Sequence, residues 1–181
     1  MKNAANKITL LRIILVPFFM LFMYLKWTYI ALFVYIIACV SDFFDGLVAR
    51  RCDQVSNFGR FMDPLADKIL TLSAMCLFVE YGLMPAWVVA IVLLREFAVS
   101  GLRLIAVERG VIISAAFSGK VKTVTSMIAL GILIAINEPW LPFAAIWPYV
   151  CSAAILLTTL WSGIEYFVKN YAVLKARTDN K

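Results

Sequence analysis

The chain alternates between long apolar segments and short polar ones. Polar or charged residues interrupt the apolar pattern at 26–28, 51–60, 81–85, 108–118 and 137–142. The intervening runs are close to the roughly 20 helical residues that a crossing of the bilayer core requires. The pattern therefore predicts an all-α protein with six transmembrane helices, near 8–27, 29–50, 61–80, 86–107, 119–137 and 142–166. With no internal repeat or linker between them, we expect one domain over residues 1–181.

Composition supports a membrane protein and narrows the chemistry. Hydrophobic residues make up 64% of the chain and charged residues 15%, and the mean hydropathy is +0.91. Soluble domains are nearer half apolar and a quarter charged. The chain has no histidine, which excludes Ser-His-Asp triads, phosphohistidine intermediates and histidine metal ligands. Acid–base or metal chemistry must therefore rest on carboxylates, lysines or arginines.

The basic residues predict the orientation in the membrane. With six spans, all of the 17 Lys and Arg residues except Lys26 fall at or near one side. Because cytoplasmic loops carry an excess of Lys and Arg, that side is cytoplasmic and both termini lie there. The net charge of +6 then reflects topology and contact with anionic lipid rather than nucleic-acid binding.

Four aspartates lie where the second and third predicted helices approach the cytoplasmic side. Asp42 and Asp45 are spaced i,i+3, and Asp63 and Asp67 are spaced i,i+4, so each pair shares one helix face. Four ionised carboxylates in one low-dielectric pocket would repel strongly. Hard divalent cations resolve this repulsion, and the oxygen ligands suit two ions of Mg²⁺ or Mn²⁺. Two such ions can stabilise the attacking and leaving oxygens of a phosphoryl transfer.

The same stretch carries a family signature. Gly46 and Gly59 remove side chains where a ligand could approach the backbone. DFFDGLVAR, eight further residues and GRFMDPLAD match DxxDGxxAR-x8-GxxxDxxxD at every fixed position. In this respect the chain resembles the CDP-alcohol phosphotransferase family. Members are six-helix membrane proteins that transfer a phosphatidyl or similar group from a CDP-linked donor to an alcohol and release CMP.

The resemblance implies roles for individual residues. The four aspartates would bind metal, and Asp67 would also be the general base. Binding of CDP-diacylglycerol would involve Asn6, Thr9, Arg12, Gly46, Ala49, Arg50 and Gly59. Within NAANKITLLR, Ala5 stands where glycerophosphate-using members commonly have proline. The resemblance also implies a homodimer in the inner membrane of a bacterium, with its active site facing the cytoplasm.

A second set of charges concerns the acceptor alcohol. It consists of four cations at the same predicted depth, with Glu96 as the one acid nearby: Arg95, Arg103, Lys120 and Lys122. An anionic acceptor such as a phosphate ester would supply the missing negative charge. REFAVSGLR and SGKVKT also resemble the glycerophosphate-using members, which implies glycerol 3-phosphate. Inositol phosphate or phosphatidylglycerol remains an alternative acceptor, and an ion-coupled transporter is the alternative from another functional class.

Overall fold

A computed structural model gives the fold. It describes the backbone of residues 4–51, 57–108, 111, 113, 116–136 and 145–171, and the side chains of 13–41, 68–107, 111, 113, 116–136 and 145–171. The regular elements within these ranges are all helices, which confirms the predicted all-α class. They are α1 (Ala4–Tyr24), α2 (Thr28–Arg51), α3 (Asn57–Glu80), α4 (Ala86–Glu108), α5 (Phe117–Ala135) and α6 (Trp147–Lys169).

The first helix ends three residues before the predicted position. Lys26 adopts a left-handed backbone conformation, with φ of 58°. Its amide donates to the carbonyl of Met23 at 3.1 Å, and the amide of Trp27 donates to Phe22 at 2.9 Å. These two bonds form a Schellman motif, which satisfies carbonyls at the helix end. The predicted span ran to residue 27 and so included this turn, because hydropathy does not detect the change in backbone conformation at Lys26.

The third helix ends with the same type of motif, here built on glycine. Gly82 has φ of 71°, and its amide donates to Val79 at 3.1 Å while that of Leu83 donates to Phe78 at 2.8 Å. Glycine adopts this conformation without a steric cost. The predicted break at 81–85 is confirmed.

The sixth helix is displaced relative to the prediction. Residues 145 and 146 form a turn, so a helix starting at 142 is wrong. The helix begins at Trp147 with proline in its first turn, where a missing N–H costs little. It continues to Lys169, beyond the predicted 166, and Glu165 and Lys169 form an ion pair one turn apart on its surface.

The helices pack into one bundle. α1 contacts α2 and α3, and both of these helices also contact α5. α6 packs against α4 and α5. In addition, α3 packs against α4. Fully buried side chains from several helices meet at the centre, among them Phe19, Phe78, Leu130 and Ile155. This packing holds the helices that carry the sequence motif and the predicted acceptor-binding cations in one unit.

Large apolar side chains cover much of the exterior. Phe33, Leu94 and Tyr149 are each more than 60% exposed, which suits a lipid environment better than water. Within the described side chains, α5 and α6 are each long and apolar enough to cross a membrane, while Ile13–Tyr24 and Thr28–Ser41 are shorter apolar stretches.

Candidate active site

The sequence motif occupies the end of α2 and the beginning of α3. Asp42 and Asp45 lie within α2, and Asp63 and Asp67 lie within α3. Since both segments are continuous helix, each pair shares a helix face, as the spacing predicted. α1 and α5 each contact both of these helices, so the two motif halves belong to one packed unit.

The motif side chains lie outside the described part of the molecule. The backbone assigns Asn6, Thr9 and Arg12 to α1, while α2 and α3 carry the rest. The residues whose side chains are not described are Asn6, Thr9, Arg12, Asp42, Asp45, Gly46, Ala49, Arg50, Gly59, Asp63 and Asp67. Among the side chains that are described, no three carboxylates or thiols converge on a possible metal position. The metal and donor assignments therefore stay predictions.

The described part of the site is built around the carboxylate of Glu96 on α4. Arg95 Nη1 donates to Glu96 Oε1 at 2.9 Å, and Lys122 Nζ donates to the same oxygen at 2.7 Å. Lys68 Nζ lies 3.8 Å from Oε2 and donates to Ser100 Oγ at 2.6 Å. The cluster joins α3, α4 and α5. Counting described side chains only, the cluster carries three positive charges against one negative charge, a surplus of two.

Arg95 is enclosed rather than extended toward solvent, with 13% of its side chain exposed. A Cβ atom added to Gly119 would lie 3.8 Å from Arg95 Nη2, and one added to Gly163 would lie 3.3 Å from Arg95 Cγ. The first distance is an ordinary contact and the second is tighter than ordinary contacts, so the glycine at 163 on α6 leaves room for the stem of the arginine. Its buried Nε has no hydrogen-bond partner among the described groups, so a donor remains for a ligand.

The two other predicted acceptor-binding cations are arranged differently. Arg103 Nε donates to Tyr166 Oη at 2.9 Å, and the Arg103 guanidinium carbon lies 5.5 Å from the Tyr166 ring centroid. Lys120 is exposed on α5. Within the described side chains, neither Arg103 nor Lys120 forms an ion pair. The structure therefore brings Arg95 and Lys122 onto the same carboxylate. Arg103 and Lys120 share the helices α4 and α5 with them but make no described contact with Glu96.

Sequence reasoning did not place three of these residues in the site. Lys68 directly follows Asp67, but a single lysine near the end of an apolar helix is not by itself a site signal. Ser100 and Tyr166 gave no signal, because a serine or tyrosine within an apolar helix is unremarkable by composition. Tyr166 is 2% exposed, so its hydroxyl needs the partner that Arg103 supplies.

An apolar groove runs along the outer side of α2 and α5. It has a volume of about 480 Å³, and its walls include Leu32, Cys39, Met127 and Gly131. Tyr35 Oη donates to the carbonyl of Met127 at 3.2 Å across it. Leu32 and Cys39 are seven residues apart, and a further seven leads to Gly46 of the motif. The groove face of α2 therefore continues into the motif.

Comparison with known families identifies the family of this chain. The family described as CDP-alcohol phosphatidyltransferase matches residues 2–163, which include both motif halves and the Glu96 cluster. The chain belongs to this family. It is thus an all-helical member of a family of membrane proteins.

Individual family members are similar over nearly their whole length. A CDP-diacylglycerol–glycerol-3-phosphate 3-phosphatidyltransferase from Bacillus subtilis (strain 168) is 40% identical over 97% of this chain and 98% of its own. The enzyme of that name from Escherichia coli (strain K12) is 40% identical over 91% and 92%. A probable phosphatidylglycerophosphate synthase from Mycobacterium tuberculosis (strain ATCC 25618 / H37Rv) is 38% identical over 92% and 81%.

Proposed function

We propose that this protein transfers the phosphatidyl group of CDP-diacylglycerol to sn-glycerol 3-phosphate, giving phosphatidylglycerophosphate and CMP. The observation that carries the proposal is the end-to-end similarity to enzymes named for this reaction. The surplus positive charge around Glu96 supports an acceptor that brings a phosphate. An uncharged alcohol would leave that charge uncompensated in a low-dielectric site.

The proposal includes an arrangement in the membrane. All six helices would span the inner membrane of a bacterium, with both termini and the active site on the cytoplasmic side. The separation of Lys and Arg residues across the helix ends supports this orientation. Residues 1–181 would act as one domain, and two copies would form a homodimer, as the family resemblance implies.

Two divalent cations, Mg²⁺ or Mn²⁺, are proposed cofactors. The donor set fits them, because four carboxylates on two neighbouring helix ends offer hard oxygen ligands and the negative charge that such ions require. Asp42, Asp45, Asp63 and Asp67 would hold the ions. Bound there, the ions would neutralise charge on the donor's diphosphate and on the departing CMP.

Asp67 is the proposed general base. It would accept the proton of the glycerol C1 hydroxyl as that oxygen forms a bond to the donor's β-phosphorus. The bond from this phosphorus to CMP breaks in the same displacement, and CMP leaves with the electron pair. No covalent enzyme intermediate is needed when both substrates share one pocket.

Other motif residues would bind the donor headgroup. Gly46, Ala49 and Gly59 would allow close backbone approach to the nucleotide and its phosphates. Arg50 would contact the diphosphate. On α1, Asn6, Thr9 and Arg12 would lie near the nucleotide.

The acceptor phosphate would bind to the cationic side chains of α4 and α5. Arg95 and Lys122 contribute donors beyond those used on Glu96, with Arg103 and Lys120 at the periphery. α5 begins at Phe117 without a capping side chain and with no acid in its first turn. The positive end of its dipole therefore adds to the attraction for an anion.

The groove between α2 and α5 would hold one acyl chain of the donor. Leu32 to Val40 spans eight residues, or about 12 Å of helix, and this groove face leads to Gly46. A chain in the groove would thus extend from the diphosphate site into the bilayer interior. The wholly apolar lining supports a hydrocarbon occupant.

The test is CMP release by the purified protein with CDP-diacylglycerol, Mg²⁺ or Mn²⁺ and a panel of acceptors. Turnover with glycerol 3-phosphate, abolished by a chelator and restored by either metal, would support the proposal. Turnover only with inositol phosphate or phosphatidylglycerol would contradict the acceptor assignment. Absence of CMP release with every acceptor would contradict the transferase activity itself.

A further inference from the structure

Glu96 occupies an unusual position in the cationic cluster. Its side chain is 16% exposed, and its carboxylate is approached by cationic groups from three helices. One oxygen accepts from both Arg95 and Lys122, at 2.9 and 2.7 Å, while the other lies 3.8 Å from Lys68 Nζ. A largely buried carboxylate is stable only when its charge is compensated. Here one cation would suffice, yet three are present.

The surplus cations remain available to a ligand. Lys122 has three N–H donors, and one of them is used on Glu96. Arg95 uses Nη1 on Glu96, whereas its buried Nε has no partner among the described groups. A phosphate monoester carries about 1.5 to 2 negative charges near pH 7. The surplus of two positive charges in the cluster matches this value.

Lys68 connects the cluster to the helix that carries the general base. Lys68 contacts Ser100 and approaches Glu96 on α4, and Asp67 precedes it in α3. Successive helical positions lie about 100° apart, so Asp67 occupies a different face of α3 from the one that contacts α4. Lys68 and Asp67 are consecutive residues of α3, so the contacts of Lys68 with α4 hold this turn of α3 beside the cluster.

We propose that Glu96 is a positioning residue for the acceptor. Its carboxylate holds Arg95 and Lys122 at the spacing that an acceptor phosphate needs and, through Lys68, fixes that phosphate site relative to Asp67. This inference rests on the proposed function. It assigns to Glu96 the role of setting the geometry of acceptor binding without itself contacting the substrate.

The principal variant is Glu96→Gln, which keeps the side-chain size but removes the charge. We expect KM for glycerol 3-phosphate to rise by about tenfold or more, because loosely held cations bind a phosphate less well. KM for CDP-diacylglycerol should change by less than about twofold, since the donor site lies elsewhere. Glu96→Asp retains the charge but draws the carboxylate back by one methylene, so its acceptor KM should lie between those of the unaltered protein and Glu96→Gln.

Glu80→Gln is the matched control. Glu80 also joins two helices, accepting a 2.6 Å hydrogen bond from Tyr24 Oη, but it lies at the opposite end of α3 from the motif. It should lower thermal stability without changing acceptor KM. If Glu96→Gln behaves in the same way, with unchanged acceptor KM, Glu96 is only structural and the inference is wrong.

A double-variant experiment tests the route of action. If Glu96 acts through Lys122, adding Glu96→Gln to Lys122→Met should raise acceptor KM by less than about threefold over Lys122→Met alone. If the two substitutions instead raise acceptor KM by the product of their separate effects, the inference is contradicted.

Should Glu96→Gln fail to fold, Glu96→Asp supplies the comparison. An acceptor KM equal to that of the unaltered protein, although the carboxylate is drawn back by one methylene, would contradict the inference as well. Failure of the unaltered protein to use glycerol 3-phosphate would instead refute the proposed function.

Discussion

Gly163 on α6 offers a sharp test of how Arg95 is positioned. Substituting alanine would place a Cβ atom 3.3 Å from Arg95 Cγ, closer than the 3.4–4 Å of ordinary contacts. The crowded atom belongs to the stem of the side chain, near the backbone of α4. Relief therefore requires rotation about the first side-chain bonds of Arg95, which moves its guanidinium group.

The expected effects on stability and on binding differ in size. Alanine stabilises a helix relative to glycine by roughly 0.5–1 kcal/mol. Moving the Arg95 stem by the few tenths of an ångström that the contact requires costs no more than a rotamer departure of about 30°, which is roughly 0.5–1.5 kcal/mol. These terms nearly cancel, so Gly163→Ala should change Tm by only about 2–4 °C. Displacing the guanidinium weakens a charge-assisted contact worth about 1.5–3 kcal/mol. Losing about 1.5 kcal/mol, the lower end of this range, corresponds to about a tenfold rise in KM for glycerol 3-phosphate.

The assay is the initial rate of CMP release at varied glycerol 3-phosphate and saturating CDP-diacylglycerol, with Tm measured on the same sample. Gly101→Ala is the matched control, because Gly101 is exposed on α4 and an added Cβ meets nothing within 4 Å. It should leave KM unchanged. A folded Gly163→Ala variant with normal acceptor KM, or equal changes in both variants, would refute a binding role for the Arg95 position.

Three further substitutions test other parts of the site. Tyr166→Phe keeps the ring beside Arg103 but removes its hydrogen-bond acceptor, so acceptor KM should rise about three- to tenfold; an unchanged KM would contradict a role for this pair. Gly131→Leu should fill the groove and reduce kcat/KM for long-chain CDP-diacylglycerol by about tenfold, with less effect on a short-chain donor; equal losses for both donors would exclude an acyl-chain site. Asp67→Asn should reduce kcat at least about a hundredfold at normal thermal stability, and substantial residual turnover would exclude it as general base.

The sequence alone determined the fold class and the family. Hydropathy is local, so the apolar segments located all six described helices, although the predicted beginnings of α1 and α3 are four residues too late and hydropathy also missed the end of α1 and the beginning of α6. Those ends depend on turn geometry at Lys26 and on a turn at residues 145 and 146. The DxxDGxxAR signature is also local, since its chemistry follows from residue type and spacing.

The tertiary structure decided which charged groups meet. The sequence indicated a surplus of cations around Glu96, but not that Arg95 and Lys122 share one of its oxygens or that Lys68 approaches the other. The hydrogen bond from Lys122 to Glu96 joins residues 26 apart, and that from Arg103 to Tyr166 joins residues 63 apart. Such contacts depend on how separate helices pack, because hydropathy and motif spacing constrain each helix by itself and leave its rotation against its neighbours to the core.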